Sequence, residues 1–216
     1  MTARYIAVAG NMGSGKSSLV KWLCQQFGAA PFFEPHDENP YLADFYGDMK
    51  RWAFPSQLFF LVRRFKIHRE LESLGASVVQ DRTLFEDAEI FAAYQHSLGH
   101  IDDRDWATYQ ELYTTLRAEL RPPDLMIYCR CEVKTLRKRI QMRGRQYEQA
   151  IPTAYLKALH GLYEAWFARY AHSPTLVIET DRVDYGTELF DRQRVRDAVA
   201  AHLDGPSAAG PASLIL

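Results

Sequence analysis

Apolar residues along the chain gather into five short runs: Tyr5-Ile6-Ala7-Val8-Ala9, Pro31-Phe32-Phe33-Glu34, Ala76-Ser77-Val78-Val79-Gln80, Leu125-Met126-Ile127-Tyr128-Cys129 and Thr175-Leu176-Val177-Ile178-Glu179. Each is too short for a helix and predicts a β-strand. Between the runs the apolar positions recur at helical spacing. Helices are expected to begin near Ser18, Pro40, Pro55, Asp87, Arg104, Glu132, Pro152 and Thr187, several with proline, hydroxyl or acidic residues that suit a first turn. Strand and helix alternation implies an α/β fold, a five-stranded parallel sheet flanked by helices on both faces. The pattern lapses after residue 204, where Gly205-Pro206-Ser207-Ala208-Ala209-Gly210-Pro211 opens a small-residue tail over 205–216 that is expected to be flexible. Residues 1–204 are then expected to form one domain, and the 47% hydrophobic content suffices for its core.

The first strand runs into Gly10-Asn11-Met12-Gly13-Ser14-Gly15-Lys16-Ser17, and Ser18-Leu19-Val20 beyond it is helical. Gly, four residues, then Gly-Lys-Ser at a strand-to-helix junction is the phosphate loop, shared by switches, motor-type hydrolases and small-molecule kinases of the P-loop kinase fold. Its glycines let backbone N–H groups turn inward around phosphate oxygens, at the positive end of the following helix. Lys16 can reach the outer phosphates of ATP, and Ser17 offers a hydroxyl to Mg²⁺. Gly10 through Ser18 are therefore the candidate ligands of a triphosphate.

Composition narrows the partners. A formal net charge of −1 argues against nucleic acid or an anionic membrane as the main partner. Three cysteines, Cys24, Cys129 and Cys131, lack paired spacing and fit reduced thiols. Neither a leader nor a membrane span is visible, so a cytoplasmic protein is expected.

The acceptor of the phosphate is less direct. No Asn-Lys-x-Asp base reader of a guanine-dependent switch is present, and the third strand ends Gln80-Asp81-Arg82-Thr83 rather than in the Asp-Glu of a motor-type hydrolase. Asp81 is placed to sit near Mg²⁺, and Arg82 beside it suits a developing negative charge. Glu34 closes the second strand at the sheet edge where α/β proteins bind ligands, and a carboxylate there favours an alcohol acceptor, which must lose a proton, over a phosphate acceptor. Arg130–Arg145 carries Arg139, Arg143 and Arg145 among other cations. These either close over the triphosphate as a lid around 137–149 or form a solvated basic helix. Gln57 and Arg64 lie two turns apart on one face of an expected helix, so both can address one flat ligand. The rival readings are a nucleoside monophosphate kinase and a nucleotide-dependent RNA-binding protein.

The run from Phe33-Glu34-Pro35-His36-Asp37-Glu38-Asn39-Pro40-Tyr41-Leu42 through Phe45-Tyr46, Arg51-Trp52-Ala53-Phe54-Pro55-Ser56-Gln57, Arg64, Asp81-Arg82-Thr83 and Asp87 resembles the deoxynucleoside kinase family, above all the bacterial deoxyadenosine/deoxyguanosine kinases. Arg139-x-x-x-Arg143-x-Arg145 with Glu148 and Ile151-Pro152 extends the likeness, which runs from the phosphate loop to about Trp166. The resemblance implies a Mg²⁺-dependent transfer of the γ-phosphate of ATP to the 5′-hydroxyl of a deoxyribonucleoside, in deoxynucleotide salvage, by a homodimer. It implies Glu34 as the base and Arg82 as the holder of the 5′-oxygen and the moving phosphoryl group. Asp81 would organise Mg²⁺, where the family more often has Glu. Tyr46 and Glu148 would bind the 3′-hydroxyl, Gln57, Arg64 and Asp87 the base edge, Phe54 and Phe91 would line the base pocket, and Arg139, Arg143 and Arg145 would clamp the donor phosphates. If Arg64 pairs with Asp87, the carboxylate stays ionised and wants an amine. Thymidine, which presents a carbonyl there, is then expected last, and the resemblance implies deoxyadenosine first with deoxyguanosine or deoxycytidine behind it.

Overall fold

The computed structural model describes residues 3–33, 38–149, 151–182 and 188–204. Five strands, β1 (Tyr5–Ala9), β2 (Ala30–Phe32), β3 (Val78–Asp81), β4 (Leu125–Arg130) and β5 (Thr175–Glu179), form one sheet in the order β2-β3-β1-β4-β5. All four pairings are parallel. Because side chains alternate across a strand, Ile6 and Val8 face one way with Val79, Ile127 and Ile178. That face is covered by α1 (Lys16–Phe27) and α10 (Leu189–Asp204). Tyr5, Ala7 and Ala9 face the other way with Val78, Met126 and Tyr128, under α3 (Met49–Ser73), α6 (Asp103–Ala118) and α9 (Thr153–Phe167). Burial on both faces is why the strands read as continuous apolar runs. The remaining helices are α2 (Leu42–Gly47), α4 (Leu84–Glu86), α5 (Ala93–Ser97), α7 (Val133–Arg143) and α8 (Gln146–Gln149). No helix among the described residues is long and apolar enough to cross a membrane.

Two helix starts differ from the sequence expectation. The long helix α3 begins at Met49, so Pro55 lies inside it rather than at its head. Asp48 caps it by accepting from the Arg51 N–H at 3.1 Å, and Trp52 and Ala53 pack with Phe45 and Ile101. This early turn offsets the backbone bond that an internal proline forfeits. The second helix begins at Leu84, not Asp87. Thr83 and Glu86 form a capping box, and the helix continues through a π-helical segment, Asp87–Ala92, into α5. Elsewhere the expected starts lie within a residue or two: Asp102 caps α6, Glu132 and Pro152 stand at the N-caps of α7 and α9, and Gly144 ends α7 in the left-handed region at φ 71°. Thr187 and the tail 205–216 lie outside the described residues.

On the inner face of α3, His68 meets the edge of the Tyr5 ring, with centroids 5.2 Å apart. Burial lowers the His68 pKa below 6.5, although Glu72 at 3.4 Å opposes the shift. Below pH 6.5 the unfolded chain therefore takes up a proton that the folded chain resists, and stability is lost as pH falls through that range. The urea midpoint is expected to drop from about pH 7 to pH 5 with a steeper slope in the parent than in His68→Leu; equal slopes would assign the pH dependence to other groups.

Candidate active site

The sheet order reverses around β1, which puts the C-terminal ends of β1 and β3 side by side at the position where such sheets hold ligands. The phosphate loop leaves β1 there. Its geometry demands glycine: a Cβ on Gly10 would stand 2.7 Å from Ser14 Oγ and 2.8 Å from the Cys129 carbonyl, and one on Gly13 2.9 Å from the Leu136 carbonyl. Buried Lys16 donates from Nζ to the Asn11 carbonyl at 3.0 Å, and Asn11 ties the loop to α9 through Leu156 O at 3.2 Å. Ser14 Oγ is buried without a hydrogen-bond partner among the described residues. Ser17 Oγ donates to Asp81 Oδ2 at 2.5 Å, while Asp81 Oδ1 is buried and without a partner among the described residues. A hydroxyl beside an unsatisfied carboxylate oxygen suits a hard cation such as Mg²⁺, which takes few protein ligands and fills the rest with phosphate and water. Consistently, no cluster of three His, Cys, Asp or Glu side chains capable of holding a metal occurs among the described residues. Ser18 is exposed on the first turn of α1.

A cavity of about 330 Å³ extends from the loop. Its lining includes Lys16, Ser17, Asp81 and Arg82 together with Tyr46, Gln57, Asp87 and Phe91, and the more exposed Arg143 and Arg145 with Glu148 form its rim. Arg82 stands out in the backbone. Its φ of 64° is the one positive value at a non-glycine among the described residues, a conformation that persists only where surroundings enforce it. Its N–H donates to Val8 O at 3.0 Å, and its guanidinium lies 4.4 Å over the Phe91 ring. Arg64, 1% exposed, donates from Nε to Asp87 Oδ2 at 2.8 Å and from Nη1 to the Asp81 carbonyl at 3.1 Å. The Arg64–Asp87 pair thus exists, and Asp87 is not a helix cap. The amide oxygen of Gln57 is buried without a partner among the described residues. Tyr46 donates its hydroxyl to Met12 Sδ at 3.7 Å, which brings the phosphate loop against α2.

The arginines of the basic helix divide. Arg143 grips Glu148 with Nε and Nη2, at 3.0 and 2.6 Å, and Arg145 adds a longer bond of 3.4 Å. Arg139 turns the other way, donating to Thr180 O at 2.7 Å and Ser14 O at 3.3 Å behind the loop. Phe54 packs against the core instead of lining the cavity, and Glu34 lies outside the described residues. Sequence reasoning passed over Glu86 and Tyr155. Glu86 is 0% exposed beside the loop, and Tyr155 lines the cavity. Thr83-x-x-Glu86 is the spelling of a capping box, so a signal for Glu86 was present.

A profile of the deoxynucleoside kinase family matches residues 6–204. The chain belongs to the deoxynucleoside kinase family. As a deoxynucleoside kinase it is a phosphotransferase. It is 33% identical over 91% of its length to a deoxyadenosine/deoxycytidine kinase of Bacillus subtilis, of which 91% is matched. It is 36% identical over 92% of its length to a deoxyguanosine kinase of Lactobacillus johnsonii, again over 92% of the relative. Among solved structures, deoxyadenosine kinase from M. mycoides with bound dATP superposes with a TM-score of 0.80 at 30% identity, covering 91% of this chain and 99% of the other.

The Arg64–Asp87 pair carries a stability consequence. Asp87→Asn withdraws the carboxylate charge from the buried guanidinium and is expected to cost ~3–5 kcal/mol in urea unfolding. A loss below about 1 kcal/mol would mean that Arg64 is satisfied without Asp87.

Proposed function

We propose that this kinase moves the γ-phosphoryl group of ATP to the 5′-hydroxyl of deoxyadenosine, with deoxyguanosine or deoxycytidine as slower acceptors, and so returns a deoxynucleoside to the nucleotide pool. The observation that carries this reading is the buried Gln57 oxygen, without a partner among the described residues, in the same cavity as Lys16. An acceptor oxygen there, near an Asp87 kept ionised by Arg64, favours a base that presents an exocyclic amine. Adenine and cytosine do so beside a ring acceptor. Thymine presents a carbonyl instead, and its oxygen would face carboxylate and amide oxygen with no proton between them.

The chemistry is chiefly positioning and charge stabilisation. The loop N–H groups and Lys16 hold the β- and γ-phosphates. Glu34 takes the 5′-hydroxyl proton as the O5′–Pγ bond forms and the bond from Pγ to the leaving ADP oxygen breaks. Arg82 holds the 5′-oxygen and the transferring group. Tyr46 and Glu148 bind the 3′-hydroxyl, with Phe91 beside the base. Arg143 and Arg145 close on the donor phosphates from the rim. Arg139, bonded to Ser14 O and Thr180 O, supports that end of the site from behind the loop. Ser17 and Asp81 would hold Mg²⁺, which when bound neutralises phosphate charge.

The deciding experiment offers the four deoxynucleosides and their monophosphates separately to the purified protein with ATP and Mg²⁺. Deoxyadenosine is expected to give the highest kcat/KM and thymidine the lowest. Thymidine as best acceptor would overturn the base assignment, and turnover of monophosphates in preference to nucleosides would make this a nucleoside monophosphate kinase. In the same assay Glu34→Gln is expected to lower kcat by ~10²-fold or more, with the nucleoside KM little changed. A raised KM at normal kcat would make Glu34 a binding residue.

A further inference from the structure

Glu86 lies under the site with its carboxylate fully enclosed, 0% exposed. A capping box requires only one of its oxygens: Oε2 accepts from the Thr83 N–H at 2.9 Å and the Thr83 hydroxyl at 3.3 Å. The other oxygen is used for something else. Oε1 accepts from the N–H of Gly10, the first glycine of the phosphate loop, at 3.2 Å. It also accepts from the Tyr163 hydroxyl on α9 at 3.0 Å. Arg82 Nε stands 4.0 Å from the same oxygen.

We propose that Glu86 is a positioning residue for phosphoryl transfer: it fixes Arg82 against the entrance of the phosphate loop and stands beside it as a buried carboxylate. The inference rests on the role given above to Arg82.

Three features support it. Arg82 occupies a left-handed backbone conformation, which needs enforcement from both sides. Its N–H is held by Val8 O, and the residue that follows it, Thr83, is held twice by Glu86. Gly10 takes the same carboxylate through its N–H, so one side chain spans the gap between the loop and the arginine segment. Finally, Glu86 is tuned by the cations it serves. Burial raises its pKa, while Arg82 and then Lys16 draw it back toward ionisation. A buried carboxylate held by Thr83, Gly10 and Tyr163 beside Arg82 keeps the arginine segment in place without solvent, as catalysis by fixed groups requires.

The test compares Glu86→Gln, Arg82→Lys and the double variant in steady-state kinetics with deoxyadenosine, rates being normalised to the folded fraction from circular dichroism. Glu86→Gln is expected to lower kcat by ~10-fold or more, with the nucleoside KM within about threefold of the parent. It is expected to cost far less in the Arg82→Lys background than in the parent, because both changes damage one unit. A residue that only stabilises the fold would leave kcat per folded molecule unchanged. That result, or losses that simply multiply, would overturn the inference. Normal kcat in Arg82→Lys would instead remove the Arg82 role and this inference with it. Should Glu86→Gln not fold, Tyr163→Phe withdraws a single donor from Oε1 and keeps the ring. A kcat lowered several-fold at near-parental KM supports the proposal, and an unchanged kcat overturns it.

Discussion

Parallel pairing of β1 with β3, in the register that sets Val8 against Asp81, is the constraint from which the site follows. That register delivers the phosphate loop and the Asp81-Arg82-Thr83 segment to one edge. It lets the Val8 carbonyl receive the Arg82 N–H, and it brings Ser17 within a hydrogen bond of Asp81. A slip by one residue would exchange the faces of Ile6 and Val8 with those of Tyr5, Ala7 and Ala9 and bury the wrong set against each helix layer. The apolar packing on both faces of the sheet therefore fixes the register that brings these segments together. Polar contacts then refine their placement over a few ångströms.

Charge is organised around that junction despite a net charge of −1. Lys16, Arg82 and Asp87 all line the cavity, and Asp87 is paired with Arg64 beneath it. Lys16 meets the Asn11 carbonyl and Arg64 meets Asp87, whereas buried Asp81 has only the Ser17 hydroxyl on Oδ2 and no partner on Oδ1 among the described residues. The rim differs. Arg143 and Arg145 both bond to Glu148, so the two cations and the carboxylate form one cluster there.

Much of this was legible in the sequence because it is local. The strands are short apolar runs, the phosphate loop is a contiguous motif, and Gly144 marks the end of α7 by the conformation that glycine alone adopts cheaply. What was hidden depends on distance in the chain or on direction in space. Pro55 reads as a helix start, yet Asp48 and the packing of Trp52 and Ala53 carry α3 past it. Arg139 and Arg143 share a helical stripe in the sequence, but Thr180 and Ser14 draw one side chain behind the loop while Glu148 holds the other at the rim. Glu86 was spelled as a capping box, but its bonds to Gly10 and Tyr163 join segments that only the folded sheet brings together.

The π-helical segment Asp87–Ala92, with its wider i→i+5 turn, lies where several long-range contacts meet. Glu86, at its entrance, points to the phosphate loop. Asp87 points across to Arg64, and Phe91 lies beneath Arg82 in the cavity. Glu89 faces the opposite side, where it receives the Trp166 indole N–H at 2.7 Å and the Tyr113 hydroxyl. Those outer bonds anchor the segment to α6 and α9. The segment is therefore held on one side at Glu89 and on the other at Asp87, just downstream of Arg82 with its left-handed backbone.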